Sequence, residues 1–241
     1  MAGSIQRVCR KRRKSINMVS IERSTLKFLK TLRKNNNRDW VHANRGWYLE
    51  SKQNFTEFTQ ALIGGINQFD KFGYIDAKDC LYRLHRDVRF SPDKTPYNYH
   101  FSAMMGKDGR KGNGASYYFR IKPGGLSVIA AGNPNMPDKS QMEKMRNAID
   151  KKGNEFAKMI NSKSFKNTFD ELKGERYKRV PKPYSAEHPY ADLLKMKYYW
   201  VDNFIKDKEV LEDGLYKMAL AVYKKAHPMV RFINNHVKVK N

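Results

Sequence analysis

Between Arg83 and Tyr97 the chain carries four cations (Arg83, Arg86, Arg89 and Lys94), two carboxylates, His85 and a closing Pro96-Tyr97. Ionised groups at that density within an apolar pattern are costly unless they pair with one another or serve a ligand. The chemistry they offer is anion recognition. Arg83, Arg86 and Arg89 can each clamp a phosphate or carboxylate with two donors, and Lys94 adds a point charge. Asp87 can orient the guanidinia or act as a base, while Tyr97 and His85 can donate hydrogen bonds. The residues read as catalytic candidates are therefore Asp87, Lys94 and Tyr97; the anion-binding candidates are Arg83, Arg86, Arg89 and Lys94. The competing reading is a structural ion-pair network that ties a sheet to its helices.

Other chemistries find less support. His85 and Asp87 have no second histidine or carboxylate at ligand spacing, so no metal site is expected, and no cofactor. The segment from Gly106 to Gly112 is glycine-rich and basic but lacks the Gly-Lys-Ser/Thr ending of a phosphate loop, and reads as a free hairpin tip, with a phosphate-tracking loop as the alternative. No serine sits in a nucleophile elbow, and no Cys-His pairing is visible. Tyr117, Tyr118, Phe119, Arg120 and Lys122 interleave rings and cations as a stacking platform for single-stranded nucleic acid does, although alternation turns Tyr117 and Phe119 toward the core.

Composition narrows the partners. The 241 residues carry a net charge of +24, which favours an anionic small molecule or, as the alternative, nucleic acid held by general basic surface. If the protein is an enzyme, the expected ligand is a phosphorylated metabolite or a nucleotide; a non-catalytic scaffold is the third reading, and oligomeric state is not legible. Apolar residues make up 40%, too many for a disordered chain. No apolar run is long enough for a membrane span. The only cysteines, Cys9 and Cys80, supply neither a disulfide framework nor a Cys-rich zinc site and fit a reducing, cytoplasmic setting.

The elements that must position these residues follow from periodicity. Residues 1–20 read as a basic, unstructured tail in which Arg7, Arg10, Lys11, Arg12, Arg13 and Lys14 supply six charges; a polyanion-binding arm is the alternative. Leu26, Phe28, Leu29 and Leu32 mark a helix stopped by Asn35-Asn36-Asn37, and Asp39 is the expected cap of the next. Phe55, Phe58, Leu62 and Ile66 continue a helical face. Alternation predicts a strand over 81–90, with Arg83, His85, Asp87 and Arg89 on one face and Tyr82, Leu84, Val88 and Phe90 on the other. Tyr99 to Ala103 is a second strand, 115–132 a hairpin turning at Pro123-Gly124-Gly125, and Tyr198 to Val201 an aromatic strand. Met142, Met145 and Ile149 mark a helix capped by Asp138 or Ser140, and a last helix ends near Pro228. The whole is one α+β domain over 21–236, a mostly antiparallel sheet flanked by helices, with a short basic tail at 237–241.

The pattern Arg83-x-x-Arg86-Asp87-x-Arg89-Phe90-x-x-x-Lys94-x-Pro96-Tyr97 resembles the signature of the domain-of-unknown-function 2461 family. Phe28-Leu29, Asn35-Asn36, Asp39-Trp40, Tyr117-Tyr118, Pro123-Gly124-Gly125, Arg146, Lys178-Arg179-Val180-Pro181 and His188-Pro189 fit it in order, across about residues 18–236. Val41 departs from it, standing where the family usually has an aromatic. The resemblance implies a single cytosolic domain with the motif at its centre; it implies no activity.

Overall fold

The three asparagines at 35–37 organise the first half of the fold. In the computed structural model, which describes residues 19–134 and 138–237, they end α1 (Arg23–Lys34) and start α2 (Arg38–Ala43). Asn37, rather than Asp39, caps α2 by accepting from the Trp40 N–H; Asp39 lies in the first turn, where its charge complements the helix dipole. Helix α3 (Arg45–Ile66) follows, and α4 (Ala77–Cys80) is a single turn capped by Asp76.

The sheet is an antiparallel meander of β1 (Phe101–Met105), β2 (Ser116–Ile121), β3 (Ser127–Gly132) and β4 (Trp200–Ile205), in that spatial order. The β2–β3 turn is set by chemistry only glycine supports easily: Gly124 and Gly125 have φ of +91° and +72°. Their N–H groups donate to Asp207, the first residue of α8 (Asp207–Val210).

Alternation gives the sheet two unlike faces. Phe101, Ala103, Tyr117, Phe119, Ile129, Val201 and Ile205 are buried beneath α3 and α9 (Leu215–His236). Phe55 stacks on Phe101 and Phe119, and Phe58 packs on Phe119, with centroids 5.2–6.0 Å apart. Each such ring contributes about 2–3 kcal/mol by burial. One polar cluster lies in this core: Tyr117 Oη is 2.8 Å from Asp70 Oδ2 and 2.9 Å from His227 Nδ1. A phenol has one proton, so when Tyr117 donates to Asp70, His227 must donate from Nδ1. The opposite face carries Ser102, Met104, Tyr118, Arg120, Trp200 and Asp202, aligned by the strand register.

Helices α5 (Lys139–Ile160), α6 (Lys163–Phe169) and α7 (Ala191–Leu194) complete the described fold, α5 opening with a capping box between Asp138 and Gln141. The architecture is the α+β arrangement expected, and two boundaries differ. Helix α9 runs through Pro228 to His236, because Met229, Val230, Phe232 and Ile233 are buried and their packing outweighs the one backbone N–H a proline lacks.

The predicted strand over 81–90 is instead one limb of an irregular arm. Only two isolated bridges form, Leu81 with Ala103 of β1 and His85 with Tyr97. Arg86 N–H donates to the Pro96 carbonyl and Asn98 N–H to that of Leu84, so the limb folds back on residues 95–98. Pro96 has no N–H to return, and the ladder stops. The apolar face does not survive either: Leu84 is buried, but Tyr82 is 41% and Phe90 95% exposed. The other sheet edge is met by Lys173, which exchanges both backbone hydrogen bonds with Trp200 of β4. The terminal tails expected at 1–20 and 237–241 fall almost wholly outside the described residues.

Candidate functional site

The arm uses much of its own charge. Arg86 donates through one nitrogen to Asp93 Oδ2 and Thr95 Oγ1, both at 2.5 Å, and through the other to Ser91 Oγ at 3.2 Å. The Thr95 N–H and the Arg86 guanidinium hold the Asp93 carboxyl down to about 2. Lys94 Nζ donates to the Val88 carbonyl at 3.1 Å and fastens the tip. Arg89 forms a two-pronged pair with Asp87 at 3.0 and 2.6 Å; Arg89's side-chain bond holds the Asp87 carboxyl below its usual range. Both partners face solvent, so the pair adds little stability. Tyr97 is buried with its ring 4.7 Å from His85, and Asn36 grips its backbone from both sides.

These contacts make Arg86 the lock of the arm. Arg86→Ala is expected to lower stability by about 1–2 kcal/mol through the lost bonds to Thr95 and Ser91, the exposed Asp93 adding little. Arg86→Lys should recover less than half, because an ammonium cannot span both partners. Urea unfolding of the three proteins measures this; an unchanged midpoint for Arg86→Ala would show that the arm is held without it.

Arg83 stands apart. Among the described residues its guanidinium meets no carboxylate and no hydrogen-bond acceptor, and it projects between two cavities. The first is a recess of about 220 Å³ that Arg83 shares with Lys52, Lys78 and Arg110. Tyr48, Lys52 and Phe55 reach it from one face of α3, at helical spacing of four and three. Arg110 is placed by the glycine-rich segment, which docks instead of projecting as a free tip. Gly109 is buried with φ +55°, and a Cβ there would lie 2.7 Å from the Asp79 carbonyl oxygen. Arg110 then donates to the Lys78 and Asp79 carbonyls at the end of α4. No carboxylate lines the recess, and none of its four cations is ion-paired among the described residues. Neighbouring Cys80 offers no nucleophile: burial, reinforced by Asp79 and Asp76, pushes its thiol up to about 12.

The second cavity is an open groove of about 990 Å³ on the uncovered sheet face. Tyr82, Tyr118 and Trp200 form an aromatic row along it, with neighbouring centroids 6.4 and 5.8 Å apart. Arg83, His85, Arg86 and Asp87 border it on the arm side, and Arg110 and Lys111 face them.

Of the residues the sequence singled out, Arg83 borders both cavities and Arg86 and Asp87 border the groove. Arg89, Lys94 and Tyr97 line neither. Lys52 and Lys78 escaped sequence reading because nothing local joins helix, turn and loop, while Arg110 was read only as part of the basic glycine-rich loop; the 48-52-55 spacing was the one available signal. Tyr117 and Phe119 face the core as alternation required, leaving Tyr118 as the one ring of that run on the opposite face, beside Arg120. No group of three or more potential metal ligands occurs among the described residues.

A four-stranded antiparallel sheet with helices on one face and a basic, aromatic groove on the other defines the class: an α+β protein with an accessible sheet face. The chain belongs to the conserved hypothetical protein family DUF2461, whose family model matches residues 24–232. No curated protein and no solved structure matches it.

Proposed function

We propose that the protein binds a small phosphate- or carboxylate-bearing molecule, with its anionic group in the recess beside Arg83. The observation that carries this is the gathering of Arg83, Lys52, Lys78 and Arg110 around one concavity without a carboxylate among its lining residues. Like charges brought together repel, and an anion removes that cost while giving the guanidinia ionic hydrogen bonds. In this reading Arg83 is the clamp and Arg86 and Lys94 hold the arm that presents it. Arg89 keeps Asp87 ionised at the groove's border, and Tyr97 anchors the arm to the core. His85, which lines both cavities, adds a ring nitrogen that can hydrogen-bond a ligand bound there. No described helix is long and apolar enough to cross a membrane, and the cytoplasm is the compartment we propose.

Calorimetric titration with inorganic phosphate and with citrate tests the site. Arg83→Ala is expected to weaken binding at least about tenfold, the value of one ionic hydrogen bond. Ligand-free stability should not change, since Arg83 is exposed and unpaired. Equal affinity of wild type, Arg83→Ala and Lys52→Ala for both anions would dismiss the recess as the binding site.

A further inference from the structure

We infer that the ligand is a nucleoside phosphate, its phosphate in the recess and its base lying along the aromatic row of the groove. The inference rests on the anion-binding reading of the recess and goes beyond it by naming what the anion is attached to.

Recess and groove are two chambers of one concavity. Tyr82, Arg83, His85, Ser102 and Arg110 line both, so a ligand gripped at Arg83 and too large for the recess extends into the groove. At about 990 Å³ the groove lies at the upper end of the range of about 300–1,000 Å³ for small-ligand sites. Tyr82, Tyr118 and Trp200 succeed one another from the arm across β2 to β4, and Tyr82 remains 41% exposed. Tyr118 and Trp200 are half-buried and successive rings are inclined at 67° and 59°, so a flat π-system stacks on one ring and meets its neighbour at an angle; every nucleobase presents such a face.

Charge and polarity agree with that assignment. Arg83, Arg86, Arg110 and Lys111 face the groove against a single carboxylate, Asp87, whose oxygens are already held by Arg89. Asn98, His100 and Ser102 add short polar side chains on the β1 side, suited to the edge of a base or a ribose hydroxyl. Beyond this stretch the open face closes: Asp202 pairs with Lys173, whose ammonium lies 5.9 Å from the Phe204 ring centroid. The aromatic row therefore has a defined end, and the site accommodates one base or a short strand end.

Calorimetry with phosphate, ribose 5-phosphate, the four ribonucleoside monophosphates and a 5′-phosphorylated trinucleotide tests the assignment. At least one monophosphate is expected to bind fivefold or more tightly than ribose 5-phosphate, the scale of one base–aromatic stack. Trp200→Leu, which alters the groove but not the recess, should erase that advantage while leaving phosphate affinity unchanged, and Tyr82→Ala should erase it as well. Arg83→Ala should weaken every ligand. A trinucleotide gaining a further tenfold or more, with steep salt dependence, assigns the natural source as a strand end; no gain assigns a free nucleotide. If monophosphates bind no better than ribose 5-phosphate while phosphate binding still depends on Arg83, the nucleoside part is wrong and the anion site stands. If nothing binds in an Arg83-dependent way, both fall.

Discussion

Gly132→Ala is expected to destabilise the protein by about 4 kcal/mol, the combined scale of a strained backbone and an overpacked contact. Gly132 ends β3 with φ +124°, a conformation L-residues adopt only under strain. A Cβ there would sit on the Tyr199 carbonyl oxygen and 3.0 Å from Trp200 Cα. Those are backbone atoms of the β3–β4 ladder and cannot rotate aside. Gly64→Ala provides the contrast: it lies on the exposed side of α3 with nothing within 4 Å of the added methyl. There alanine should stabilise by about 0.5–1 kcal/mol. Urea midpoints of the two variants should move in opposite directions, and a shift below about 1 kcal/mol for Gly132→Ala would contradict the close approach at the strand end.

Acid is expected to weaken the fold through His100. Burial, with the charges of Arg120 and Lys122 nearby, pulls this imidazole from 6.5 to about 4. Between those values the unfolded chain holds a proton that the folded protein refuses, so lowering the pH favours unfolding. The stability contributed by neutral His100 is complete above pH 6.5. It falls by about 2 kcal/mol at pH 5 and by about 3 kcal/mol near pH 4. Urea unfolding of wild type and His100→Gln at pH 7.5 and 5 isolates the effect, since other titrating groups are common to both. Identical losses in the two proteins would assign the acid sensitivity elsewhere.

Periodicity made most of the framework readable. Alternation at Tyr117, Phe119 and Ile121 located β2, glycines located its turn, and three-four spacing located α1 and α3. Those signals are local. The arm defeated the same reasoning because its alternating residues suggest a ladder that Pro96 and the Arg86–Thr95 contacts prevent. In α9, burial of the residues after Pro228 overrode a local helix-breaking signal. The proposed site was legible only through Arg83 and His85, with Arg110 read as part of a basic loop, since Lys52, Lys78 and Arg110 come from a helix, a single turn and a loop that meet only in three dimensions. Arg86 looked like the ligand clamp because a guanidinium in an apolar pattern needs a partner; its partners proved to be Asp93, Thr95 and Ser91 of its own turn.

The backbone bridges at the two margins of the meander bear on how the molecule behaves in a crowded cell. A four-stranded sheet that does not close leaves two rows of amide groups able to recruit a strand from another chain. On β1 one such position is occupied by Leu81, and Ser102 already accepts from the Tyr82 N–H. On β4 Lys173 takes both bonds of Trp200 and places its charge beside Asp202. The arm that carries Arg83 thus also blunts a sticky margin, and loosening it exposes the molecule to self-association.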